Sequence, residues 1–179
     1  MALKPTIYKF RINLSDTNRD LYDATQLTLA QHPSETTARM MARVLAYCLQ
    51  WQPNLAFTKG LSTTEEPDLW VKSLDDQTLL WVDVGEPSLD RIKKSTRIAQ
   101  QVIVYSFNSK SDVWWEQSKN KTHQYPASIY RLDADAVEAL ANVVARTMDL
   151  SVMITGDSLF IDCEQGSFEV AVTTLQHQH

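Results

Sequence analysis

The stretch EPDLWVKSLDDQTLLWVDVGEPSLDRIKKSTRIAQQVIVY, residues 66–105, decides the fold of this chain. Residues 68–72 and 78–84 are apolar or alternate between apolar and polar, which predicts two strands of a hairpin. Residues 85–88 contain Gly, Pro and Ser and open a helix. Residues 101–107 then form a β-branched and aromatic strand. A strand–helix–strand unit of this kind is typical of a βαβ crossover, so we expect its two strands to be parallel in one sheet.

The flanking sequence adds strands on both sides of this unit. Residues 8–14 alternate with period two and 21–30 return, which predicts an N-terminal hairpin. A helix is expected between them and the central unit, with Ser34 as its N-cap, one apolar stripe that includes Met40, Val44 and Leu45, and Pro53 at its end. A short strand at 55–58, a break at Gly60 and a polar loop at 62–65 are expected to follow. The C-terminal part of the sequence predicts a short helix at 109–119 and a strand at 127–132. A helix should begin near Asp133 or Asp135 and carry its apolar stripe to Met148. A meander of three strands, at 152–155, 159–162 and 168–173, should follow. The fold class is therefore α/β, a mixed sheet with flanking helices.

Composition restricts the class of protein. The 179 residues, 44% of them hydrophobic, fit one globular domain. The net charge of −5 argues against a broadly basic nucleic-acid-binding protein but leaves room for a local basic patch. No apolar run is long enough for a membrane span and no signal peptide is expected, so we expect a cytoplasmic protein. Cys48 and Cys163 are predicted to be reduced, buried thiols.

Two carboxylates in the central stretch are candidates for metal chemistry. Asp68 starts one strand of the predicted hairpin and Asp83 ends the other, so the two side chains should lie near one another. Oxygen ligands of this kind suit Mg²⁺, and Glu35 at a helix N-terminus offers a third carboxylate. Lys93 or Lys94 of the following helix is placed to stabilise charge that develops on a phosphate.

Other interpretations of the same residues remain open. The acids can be ordinary strand-end residues, Asp90 and Lys94 can form a helical ion pair, or acids and lysines can form an internal polar network. Glu35 lies four and eight residues before two arginines, which predicts either surface ion pairs or the rim of a site. The adjacent Trp114 and Trp115 are more typical of a packing anchor than of a base-stacking platform.

Five segments, HPSET..RM, FTKGL, EPDLW, VDVGEP and RIKKSTRIAQ, resemble the YaeQ family of bacterial proteins along essentially the whole chain. The resemblance implies a compact α/β protein. It also implies a single domain, 1–179, whose core at about 34–107 is a variation on the PD-(D/E)xK, or restriction-endonuclease-like, fold. Extra N- and C-terminal β-strands would flank that core.

The resemblance assigns roles to individual residues. Pro67-Asp68 matches the PD element, Asp83 the second acid, and Glu35 the acid that many members carry on a preceding helix. Gly85 stands where the motif has its lysine, and Lys93 or Lys94 would replace that lysine from the helix. Gln101 and Tyr105 match a QxxxY spacing.

The leading functional hypothesis is therefore a Mg²⁺-dependent nuclease or phosphodiesterase. Its candidate catalytic and metal-binding residues are Asp68, Asp83, Glu35, Lys94 and Lys93. Phosphate contacts are expected from Arg39, Arg43, Arg91 and Arg97. The alternative is a non-catalytic protein of the same fold that binds nucleic acid or a protein partner, an interpretation that Gly85 and the acidic net charge favour.

Overall fold

A computed structural model describes residues 4–58 and 66–177. Within these residues the chain forms one mixed sheet and four helices. The strands are β1 (Thr6–Asp16), β2 (Leu21–Gln31), β3 (Leu55–Phe57), β4 (Leu69–Lys72), β5 (Thr78–Val84), β6 (Ala99–Ser106), β7 (Ala127–Leu132), β8 (Thr147–Thr155), β9 (Ser158–Cys163) and β10 (Gly166–Gln176). The helices are α1 (Thr37–Leu49), α2 (Leu89–Ile98), α3 (Ser111–Thr122) and α4 (Ala134–Ala141).

The ten strands lie in the order β2-β1-β8-β9-β10-β7-β6-β5-β4-β3. The central β5, β6 and β7 run parallel, which confirms the predicted crossover from β5 through α2 to β6. The N-terminal hairpin and the β8–β9–β10 meander are antiparallel, also as predicted. The hairpin joins the meander through a parallel pairing of β1 with β8.

The helix α1 is buried on every side instead of along one stripe. Ala38 and all nine residues from Met40 to Cys48 are buried. Because a helix that is buried all round belongs to a core, α1 lies inside the fold and not on a solvated layer. Its N-cap is Thr36, whose hydroxyl accepts a hydrogen bond from the Arg39 N–H, so the expected Ser34 cap is wrong. The Ser34 hydroxyl contacts His32 Nδ1 instead.

The helices α2 and α3 form an outer layer over the parallel strands. They pack on a second hydrophobic cluster that includes Trp81, Ile92 and Val104. Ser88 caps α2, within the predicted helix start at 85–88, and Asp133, one of the two expected candidates, caps α4. Trp114 and Trp115 pack partly against this cluster, which agrees with an anchoring role.

Several boundaries differ from prediction. The helix α4 ends at Ala141, and Met148 lies in β8, because the apolar spacing runs on from helix to strand without a break. Both cysteines are free, but only Cys48 is buried. The expected break at Gly60 and the polar loop at 62–65 lie outside the described residues. No helix of the described part of the chain is long and apolar enough to cross a membrane.

Candidate functional site

The first part of the candidate site centres on Glu35, which precedes α1. Its side chain is 1% exposed and accepts three hydrogen bonds from guanidinium groups. Arg43 binds it in a bidentate way, Nη2 to Oε1 at 2.6 Å and Nε to Oε2 at 2.8 Å. Arg39 Nη1 reaches Oε2 at 2.7 Å. The Arg43 contacts are buried and the Arg39 contact is partly buried, so these are not the solvated surface pairs that the spacing suggested.

Arg39 links Glu35 to the second acid. Its Nη2 donates to Asp68 Oδ1 at 2.7 Å and to the carbonyl of Val84, the last residue of β5, at 3.2 Å. The other oxygen of Asp68 accepts the Val84 N–H at 2.8 Å. Asp68 therefore lies at the carboxyl end of β5 and connects α1 with the β4–β5 hairpin.

The third acid, Asp83, is held by α2. Arg91 binds it in a bidentate way, Nε to Oδ2 at 2.9 Å and Nη2 to Oδ1 at 3.0 Å. Arg91 Nη2 also donates to the Glu66 carbonyl at 2.9 Å. Burial raises the pKa of Asp83 above its ordinary value, the Arg91 contacts oppose that rise, and the nearby charge of Asp68 adds to it. The register of the β4–β5 hairpin, in which Leu69 pairs with Val82 and the Asp68 N–H donates to the Val82 carbonyl, places the two acids at the same end of the hairpin, as predicted.

The predicted lysines lie elsewhere. Lys93 and Lys94 are exposed on α2, as is Arg97. The cation that reaches Asp83 from α2 is Arg91, in the first turn of the helix. Gln101 is exposed in β6, while Tyr105 is buried near the other end of the same strand, so the two do not form one site.

We call these six residues the acid–arginine cluster: Glu35, Asp68, Asp83, Arg39, Arg43 and Arg91. Three negative and three positive charges give it no net charge. All six carboxylate oxygens accept a hydrogen bond, five from guanidinium groups and one from the Val84 N–H. Such complete pairing is what buried charges require.

The arrangement does not suit a magnesium ion as it stands. Mg²⁺ needs carboxylate oxygens that are free to enter its coordination shell. Here a bound ion would have to displace Arg39 or Arg91 from the acids. Among residues 4–58 and 66–177, no group of three or more His, Cys, Asp or Glu side chains is placed to hold a metal ion.

The sequence predicted ion pairs of Arg39 and Arg43 with Glu35 only at the surface, and it did not predict the pairing of Arg91 with Asp83. Arg39, Arg43 and Arg91 were expected to contact phosphate, whereas each binds an acid. The available signal was the four-residue spacing of Glu35, Arg39 and Arg43, which is the same for buried and exposed pairs.

Two clefts lie near the ends of the core helix. One of about 540 Å³ is lined by the first turn of α1, the residues after β6 and the face of α4 that carries Asp135 and Glu138. Another of about 220 Å³ lies at the C-terminal end of α1 and is lined by Gln50, Tyr105 and Tyr130.

Known proteins match along almost the whole chain. The family model described as YaeQ protein matches residues 1–172. The "Uncharacterized protein YaeQ" of Salmonella typhi is 36% identical over 178 residues, 98% of each chain, and that of Escherichia coli K12 is 35% identical over the same lengths. The crystal structure of the YaeQ protein from Xanthomonas axonopodis pv. citri has a TM-score of 0.93 at 32% identity and covers 97% of this chain and 99% of that one. That of the Pseudomonas syringae protein has a TM-score of 0.91 at 36% identity and covers 96% of each. The chain therefore belongs to the YaeQ family.

Proposed function

We propose that this protein is a non-catalytic member of the PD-(D/E)xK fold that binds nucleic acid through its phosphate backbone. In this proposal one domain contains the nuclease-like core at about 34–107. The acid–arginine cluster holds the core together, and the ligand lies on the outer layer of α2 and α3. The observation that carries the proposal is the uneven distribution of charge along the chain.

Residues 88–123, which include α2 and α3, hold seven basic and three acidic residues, a net charge of +4. The rest of the chain holds ten basic and nineteen acidic residues, a net charge of −9. A local positive field on an acidic protein is the electrostatic footprint of a polyanion site.

The cations of this layer are accessible. We call the exposed set Lys93, Lys94, Arg97, Lys110 and Lys121 the basic face. Two of the three acids in the segment are already paired, Asp112 with Arg131 and Glu116 with Lys119. Arg97 and Lys121 lie in last helical turns, where they also complement the helix dipole, but Lys93 and Lys94 lie mid-helix and have no such role.

Salt dependence tests the proposal quantitatively. A protein that neutralises Z phosphates of a duplex loses affinity with a slope of about −0.9Z in log–log form. Each phosphate contact then makes the affinity at 0.1 M salt roughly eightfold higher, relative to 1 M salt. We expect fluorescence anisotropy with labelled DNA and RNA to show binding without Mg²⁺ and a slope of about −3 to −5, because the basic face offers five cations.

A matched pair of variants locates the site. Lys93→Ala with Arg97→Ala removes two charges from the basic face, and Lys4→Ala with Lys9→Ala removes two exposed charges from the N-terminal region. The first pair should make the slope less negative by about two and weaken binding roughly 60-fold at 0.1 M salt. The second pair should leave both the slope and the affinity unchanged. Equal weakening by both pairs, or no binding at low salt, would contradict the proposal.

The second candidate function is a Mg²⁺-dependent phosphodiesterase. It is favoured by the position of Asp68 and Asp83 at the same end of the β4–β5 hairpin. Incubation with Mg²⁺ or Mn²⁺ and varied DNA and RNA distinguishes the candidates. Cleavage that Asp83→Asn abolishes would replace the binding proposal, and no cleavage of any substrate would remove the enzyme hypothesis.

A further inference from the structure

We infer that the cleft at the C-terminal end of α1 is a binding site for a small uncharged molecule that carries a hydrogen-bond acceptor beside a donor, such as an amide or a pyrimidine base. The cleft lies between Gln50, the C-cap of α1, the strands β6, β7 and β10, and the turns that join β1 to β2 and β8 to β9. It is distinct from the acid–arginine cluster and from the basic face.

A buried tyrosine with an incompletely used hydroxyl is the first observation. Tyr105 is 2% exposed and lines the cleft. Its hydroxyl oxygen accepts a hydrogen bond from Gln50 Nε2 at 2.6 Å. Within residues 4–58 and 66–177 this is the one hydrogen bond of the hydroxyl, which offers both a donor and acceptor sites. Burial raises the pKa of Tyr105, so the O–H group stays protonated at neutral pH. A buried hydroxyl that keeps an unused donor or acceptor is costly unless a ligand or water fills it.

Gln50 supplies the complementary group. Each side-chain amide has one carbonyl oxygen and two N–H donors, and only one of them contacts Tyr105. Whichever end of the amide faces the hydroxyl, the Tyr105–Gln50 pair keeps one unfilled donor and one unfilled acceptor. The cleft therefore presents a donor and an acceptor side by side, which matches an amide or the edge of a base.

Size, shape and charge define the ligand further. The volume of about 220 Å³ exceeds one or two water molecules, whose share of liquid volume is about 30 Å³ each. Tyr105 and Tyr130 stack with centroids 5.4 Å apart and form an aromatic wall that suits a planar molecule. Asp16 and Arg19 in the lining neutralise one another through a 2.6 Å contact. The further carboxylate of Asp157 at the cleft disfavours an anion.

A series of three related compounds tests the inference. Benzamide carries the acceptor and the donor, methyl benzoate carries the acceptor alone, and benzoate is an anion. We expect protein-observed NMR titrations to show benzamide and uracil binding to the full chain, and the other two compounds at least fivefold more weakly. Equal binding of methyl benzoate and benzamide would overturn the inference.

Variants tie the binding to this cleft. Tyr105→Phe keeps the ring and removes the hydroxyl, so benzamide should bind about fivefold more weakly. Tyr22→Phe makes the same change at an exposed position and should leave binding unchanged. Gln50→Met provides a second variant if Tyr105→Phe fails to fold, and it should weaken the binding of benzamide by a similar factor. A crystal soaked in benzamide that holds only water in the cleft, or binding insensitive to both variants, would refute the site.

Discussion

Removal of Glu35 is the sharpest test of the acid–arginine cluster. Glu35→Ala deletes three charge-assisted hydrogen bonds and leaves Arg43, whose side chain is 6% exposed, with the Ala30 carbonyl as its one hydrogen-bond partner among the described residues. Removal of one partner from a buried ion pair costs about 3–5 kcal/mol. For a chain of this size, about 2–4 °C of melting temperature corresponds to each kcal/mol. We therefore expect the melting temperature to fall by roughly 6–20 °C.

Urea and thermal unfolding followed by circular dichroism measure this loss. Glu169→Ala removes an exposed acid from β10 and should stay within about 0.5 kcal/mol of wild type. Combining Glu35→Leu with Arg43→Met removes the pair together, so this variant should be more stable than Glu35→Ala, since no buried charge is left alone. A cost below about 1 kcal/mol for Glu35→Ala would refute the view that the cluster stabilises the core.

Further predictions concern titration, metal binding and thiol reactivity. Because burial raises the pKa of Asp83, the folded state holds its proton more tightly than the unfolded state. The stability of wild type relative to Asp83→Asn should therefore fall as pH rises from 3.8 through the folded-state value, as pH-dependent urea unfolding can measure. Millimolar Mg²⁺ should not raise the melting temperature, because every acid of the cluster is already paired; a clear increase would indicate a metal site. Iodoacetamide should modify Cys163 in the folded protein and Cys48 only after unfolding, since burial raises the pKa of Cys48 to about 12, and mass spectrometry counts the labels.

The central sheet could be predicted because its signals are local. The alternation in β4, the apolar run of β5, the helix start at 85–88 and the β-branched run of β6 each act within a few residues, and together they imply the parallel crossover. The proximity of Asp68 and Asp83 also followed, because the register of a hairpin places the start of one strand opposite the end of the next.

The burial of α1 could not be predicted in the same way. Its apolar stripe suggested one buried face, but Ala38, Ala42 and Ala46 form a second buried stripe at four-residue spacing. Alanine favours helices whether its face is exposed or closely packed, so the spacing of the alanines alone does not tell a buried face from an exposed one. The stripe of Arg39 and Arg43 resembled a solvated face, and only the position of Glu35 and Asp68 in the fold shows that these arginines are paired inside.

The angular position of each residue around α2 decides which cation reaches Asp83. A helix turns by about 100° per residue, so Lys93 points about 200° away from Arg91 and faces solvent. Lys94 is one turn further from the end of β5, about 4.5 Å along the axis. A planar guanidinium also matches a carboxylate in two hydrogen bonds, which an ammonium group cannot do. Arg91, and neither lysine, is therefore the cation that neutralises Asp83.

The acid–arginine cluster is either purely structural or the metal site of an enzyme, and the two hypotheses assign different roles to Asp68 and Asp83 but the same role to Glu35. Arg43, which binds Glu35, is almost fully buried, whereas the side chains of Arg39 and Arg91 are 18% and 29% exposed. Only the partly exposed arginines can move into solvent without leaving a buried charge unpaired, so a cation could compete only at Asp68 and Asp83. Glu35 is then structural under either hypothesis, and a loss of function in Glu35→Ala that follows its loss of stability says nothing about catalysis. Asp83→Asn keeps the shape of the side chain and changes its charge, and it is the substitution that separates an enzyme from a binding protein.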